Sequence, residues 1–103
     1  MMIFANPIHP GEYLREEFLV PLGMSAGQLA KALGVPRTRI ERLIREETAL
    51  STDTALRLAR YFGMSAEFWI NLQTSYNVDC ANADAELAAA LAAITPRETP
   101  EAA

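Results

Sequence analysis

Four arginines, Arg37, Arg39, Arg42 and Arg45, fall within nine consecutive residues of the stretch GVPRTRIERLIREE, and Glu46 and Glu47 follow at once. A guanidinium presents a planar fork of N–H donors that matches phosphate oxygens or the acceptor edge of guanine, so such a cluster is suited to nucleic acid. On a merely solvated helix the same arginines would pair with their own acids, and Glu41 stands one turn from both Arg37 and Arg45. The elements that carry the arginines must decide between these two readings.

The other residues able to do chemistry combine poorly. Cys80 and His9 are the only cysteine and histidine, 71 positions apart, which excludes an internal disulfide and a Cys/His zinc site. The segment NVDCANAD offers Cys80 no base and no helix start to lower its pKa. In HPGE, His9 and Glu12 would supply only two metal ligands, whereas Pro10 and Gly11 read as the start of a helix. No enzyme, metal or cofactor is expected.

The chain has 103 residues and a net charge of −4, enough for one small domain. Charge is unevenly spread: residues 25–45 carry +4, and residues 77–103 carry −4. A basic island in an acidic chain can still act as an electrostatic footprint for nucleic acid. No apolar run approaches the ~18 residues of a membrane span, and MMIFANPIHPGE lacks the features of a signal peptide. A cytoplasmic site is the default expectation.

Punctuation by Pro, Gly and Ser predicts an all-α domain of five short helices. The first spans about 10–20, opened by Pro10 and ended by Pro21; the second spans about 26–33, with Ser25 as N-cap and Gly34 at its end. The third is opened by Pro36 and ends near Arg45, with Ile40, Leu43 and Ile44 inward. The fourth spans about 52–62, and the fifth about 66–76, capped by Ser65. These make a domain of residues 1–78; an Ala-rich helix over 79–94 and a disordered tail over 95–103 should follow.

Ala30, Gly34 and Ile40 supply a small residue where two helices touch, a glycine where the backbone turns and an apolar anchor on the second helix. That is the pattern of a helix-turn-helix, and it leaves Arg37, Thr38, Glu41, Arg42 and Arg45 outward. Arg37 and Thr38, at the helix N-terminus, are the candidates for base edges. Arg42 could meet a base or a phosphate, and Lys31, Arg39 and Arg45 suit phosphates.

The runs IHPGEYLREEFLVPLGMSAGQLAKALGVPRTRI and LSTDTALRLARYFGMSAEFWINLQTSY resemble the HigA-type antitoxins. These belong to the lambda-repressor-like, XRE-type helix-turn-helix superfamily, some of whose members are called VapI-like plasmid-maintenance antidote proteins. The resemblance covers about residues 8–78. It implies a five-helix lambda-repressor-like domain that binds its own palindromic operator in double-stranded DNA as a homodimer. It also implies a co-encoded HigB-type mRNA-cleaving toxin as partner. On this chain it assigns DNA contact to Arg37, Thr38, Arg39 and Arg42, and a phosphate contact to Gln28. It places the dimer interface at Phe68, Trp69, Leu72 and Gln73, in an aromatic-rich segment with more apolar surface than one short helix hides. The chain departs from the family after the third helix, where Arg45-Glu46-Glu47-Thr48 replaces the common glycine and cation, which leaves the helix without its usual stop and should weaken phosphate anchoring. A toxin-binding module with little DNA affinity and a solitary transcriptional regulator are the alternative readings.

Overall fold

The computed structural model describes residues 7–98, and its regular structure is entirely helical among them. Helix α1 is continuous through Pro10–Leu14, a π-helical stretch Arg15–Leu19 and Val20–Leu22. It is followed by α2 (Ala26–Leu33), α3 (Arg37–Ile44), α4 (Thr52–Phe62), α5 (Ala66–Asn82) and α6 (Ala85–Ala92). No described helix is long and apolar enough to cross a membrane.

Serines start three of these helices. Ser25, Ser51 and Ser65 each turn a hydroxyl onto a backbone N–H of the first turn, satisfying a donor that has no partner within the helix. At Ser25 the cap is reciprocal: its Oγ accepts from the Gln28 N–H at 3.1 Å, and Gln28 Oε1 accepts from the Ser25 N–H at 2.8 Å.

The core gathers Leu14 and Leu19 of α1, Leu29, Ala30 and Leu33 of α2, Ile40 and Leu43 of α3, and Ala55 and Leu58 of α4 around Trp69 of α5. Trp69 is fully buried and lies edge-on to Tyr13 and Phe68, with Phe18 tilted against it. Removing a buried indole of this kind costs about 3–5 kcal/mol.

Two helix ends differ from the sequence expectation. Helix α1 passes Pro21 and ends at Leu22, with Gly23 as its left-handed cap. The π-helical stretch before the proline widens the turn, so the ring need not strike the carbonyl that a regular α-helix would place against it.

Helix α5 continues to Asn82, because nothing in SYNVDCAN breaks a helix once the core-facing side has started it. The expected boundary at residue 78 therefore falls inside α5, and the Ala-rich helix is confined to Ala85–Ala92, capped by the Asp84 carboxylate.

Helix α3 ends at Ile44, close to the expected Arg45, although no glycine follows to stop it. Glu46 adopts φ +63°, the Glu46 N–H donates to the Leu43 carbonyl, and the Glu47 N–H donates to the Arg42 carbonyl. This is a Schellman closure made with a side chain where glycine is usual, a substitution that costs about 1–2 kcal/mol.

Residues 95–98 of the expected disordered tail have no regular structure and are exposed; residues 99–103, and residues 1–6 of the segment read for a signal peptide, lie outside the described residues.

Candidate nucleic-acid interface

Helices α2 and α3 meet through the turn Gly34–Pro36. Ala30 is buried at the crossing, Ile40 is fully buried, and Gly34 has φ +71°, a conformation that side chains resist. The Val35 N–H donates to the Ala30 carbonyl at 3.0 Å, which closes α2 as the chain turns. From α4, Arg57 Nη1 donates to the Leu33 carbonyl at 2.7 Å, placing a cation at the negative end of α2.

With Ile40 and Leu43 inward, Arg37, Thr38, Arg42 and Arg45 are exposed and share the outer face of α3. Glu41 lies among them, half-buried, and its carboxylate is 3.3 Å from Arg37 Nε. Arg37 also lies over the start of α2: a methyl group on Gly27 would stand 3.1 Å from its Cδ. The basic side chain at the N-terminus of α3 thus packs closely over bare backbone in α2.

Arg39 points elsewhere. Its Nη1 donates to Asp53 Oδ1 at 2.7 Å, and the same oxygen accepts from Arg57 Nε at 2.8 Å. Arg57 foremost, together with Arg39, holds the Asp53 carboxyl below its ordinary range. Thr38, Arg39 and Arg42 also line one groove with Thr48, Ala49 and Ser51 of the following loop. Gln28 and Lys31 are exposed on α2, and Gln28 spends its carbonyl oxygen on the Ser25 cap, leaving its amide donor outward.

Sequence reasoning did not find the roles of Asp53, Arg57 and Arg15. The i, i+4 pairing of Asp53 with Arg57 was a readable signal; the reach of Arg15 from α1 to the end of α3 had none.

The expected dimer interface needs correction at one residue. Trp69 is 0 % exposed and belongs to the core of its own chain, because successive turns of α5 carry it under α1. Phe68 and Leu72 are half-buried against that core. Gln73 is engaged within the chain: its Oε1 accepts from the Leu50 N–H at 2.7 Å, and its Nε2 donates to Asn77 at 2.8 Å.

Two helices joined by a glycine turn, the second carrying an exposed basic face, define a helix-turn-helix DNA-binding domain. Comparison with known proteins agrees, since the Helix-turn-helix family model matches residues 14–69, more than half of the chain. The chain belongs to the XRE-type helix-turn-helix family of HigA-like antitoxins and transcriptional regulators, which are not enzymes. It is 54% identical over 77 residues to Virulence-associated protein I of Dichelobacter nodosus, covering 75% of this chain and 71% of that one. Among solved structures it is similar to Pseudomonas aeruginosa antitoxin HigA with the higBA promoter, at 44% identity and a TM-score of 0.83, over 88% of this chain and 98% of that one. Another solved structure from Pseudomonas aeruginosa, of a protein in complex with its operator DNA (18bp), is 42% identical with a TM-score of 0.85, over 93% of this chain and all of that one.

Proposed function

We propose that this chain is the antitoxin of a toxin–antitoxin pair, repressing its own operon by binding a palindromic operator as a dimer and neutralising a co-encoded HigB-type mRNA-cleaving toxin. The observation that carries the DNA-binding part is the alignment of Arg37, Thr38, Arg42 and Arg45 on the exposed face of a helix whose other face is anchored by Ile40. Arg37 and Thr38 read base edges from the N-terminus of α3, and Arg42 reads a base or holds a phosphate. Gln28, Lys31 and Arg45 hold phosphates, which set register without specifying sequence, whereas Arg39, expected among them, is engaged by Asp53. The two Pseudomonas aeruginosa structures, one with the higBA promoter and one in complex with operator DNA, support this reading.

A dimer would set two recognition helices about one turn of DNA apart, as a palindrome requires. Phe68 and Leu72, half-buried, and Ile70, exposed on the same helix, supply apolar surface for it. The acidic C-terminal third of the chain suits a basic RNA-cleaving partner, and the reading places the protein in the cytoplasm.

The test is Arg37→Ala combined with Arg42→Ala, assayed by mobility shift on the inverted repeat upstream of the gene. Operator binding should be lost while helical content and oligomeric state stay unchanged. Wild-type affinity in the double variant would remove the recognition assignment. Co-expression with the adjacent reading frame tests the antitoxin part: growth should depend on this chain.

A further inference from the structure

Arg15 lies in the π-helical stretch of α1, outside the helix-turn-helix pair, yet its guanidinium reaches the end of α3. Its Nη1 donates to the Ile44 carbonyl, its Nη2 donates to Glu46 Oε2 at 3.4 Å, and its Nε donates to Glu16 Oε2 at 2.9 Å. The Ile44 carbonyl is one of the last four of α3, which have no partner within the helix, and a cation there also complements the helix dipole.

Two further contacts join the same helix to the same place. One turn before Arg15, Gly11 lies against the Leu43 carbonyl so closely that a Cβ would stand 1.8 Å from its oxygen. The buried imidazole of His9 accepts the Gly11 N–H at Nδ1 at 2.9 Å, which holds that glycine in place. The HPGE stretch, which sequence reasoning took only as a helix start, is thus the seat on which the recognition helix ends.

The seat bears on charge as well as geometry. Glu46 follows Arg45 directly, in a left-handed conformation, and its carboxylate is folded back onto Arg15. Glu47 stands 4.0 Å from Arg42. The carboxylate that follows Arg45 directly in the chain is therefore matched by a cation from another helix.

We propose that Arg15 is a positioning residue of the DNA interface: through the Ile44 carbonyl and the Glu46 carboxylate it seats the end of the recognition helix and keeps the Glu46 charge from acting on the phosphates. The proposal rests on the operator-binding reading.

The experiment compares wild type, Arg15→Gln, Glu46→Gln and the double variant. Each is titrated against a duplex carrying the inverted repeat upstream of the gene, at low and at physiological salt, with thermal unfolding followed in parallel. Arg15→Gln should weaken binding about tenfold, more at low salt, where an unscreened carboxylate repels phosphates most. Glu46→Gln alone should change binding by less than about twofold, because Arg15 already offsets that charge. Added to Arg15→Gln it should restore most of the lost affinity, which a merely destabilised fold would not allow. If Arg15→Gln unfolds, Arg15→Met replaces it, keeping the apolar stem but not the charge, with the same rescue expected from Glu46→Gln.

Wild-type affinity in Arg15→Gln overturns the proposal, as does a double variant no tighter than Arg15→Gln. Absence of binding by wild type itself overturns the operator reading and the proposal with it.

Discussion

Arg39 of the recognition helix donates to Asp53 of α4 at 2.7 Å, and through that carboxylate it is joined to Arg57, which holds the end of α2. Three helices therefore meet at one exposed carboxylate, and the recognition helix is held at both ends: by Asp53 near its start and by α1 at its finish.

Replacing Asp53 with Asn should lower the melting temperature near neutral pH, with a pH dependence that identifies the cause. The folded-state pKa of Asp53 lies below the ordinary value of 3.8. Its contribution is thus complete above that value and is lost as pH falls through the folded-state value. The gap between wild type and Asp53→Asn should close on acidification below 3.8 and shrink in high salt, read by thermal unfolding. A gap that persisted unchanged in acid would mean that the pairing is not its source.

Gly11→Ala tests the contact between α1 and α3. The added methyl would stand 1.8 Å from the Leu43 carbonyl oxygen, so one helix must move, at about 3 kcal/mol or more. Gly34→Ala meets nothing nearer than 3.5 Å and bears only the strain of φ +71°, about 1–2 kcal/mol. Urea midpoints should rank the two in that order, and the opposite ranking would contradict the close approach of α1 to α3.

His9 provides a second pH-dependent prediction. Burial pushes its pKa below 6.5, opposed by the Glu46 carboxylate, the backbone of Thr48 and the Glu12 carboxylate. The unfolded chain then binds more protons, so stability should fall as pH drops below 6.5 towards the folded-state value. His9→Asn keeps a side-chain acceptor for the Gly11 N–H and has no titration in this window, so its urea midpoint should fall less steeply over the same range. Parallel profiles would show that another group governs the acid limb.

Most of the helices and the recognition face were legible because local signals agree there. Ser25, Ser51 and Ser65 cap as their types suggest, and the spacing of Ile40 and Leu43 determines which arginines face out. Arg39 was legible only in part. Its exposure follows from helical phase, but its engagement with Asp53 depends on how α4 approaches α3.

The sequence by itself determined the helical class, the helix-turn-helix pair and which arginines of α3 are exposed, since each depends on capping and periodicity within about one turn. The tertiary structure decided how α3 ends, where Trp69 is buried and what Arg15 does. Those outcomes join residues about thirty positions apart or depend on which face of α5 the other helices cover. Glu46 shows the physical reason most plainly: its own preference disfavours the left-handed turn, and contacts from a separate helix accompany the conformation it takes.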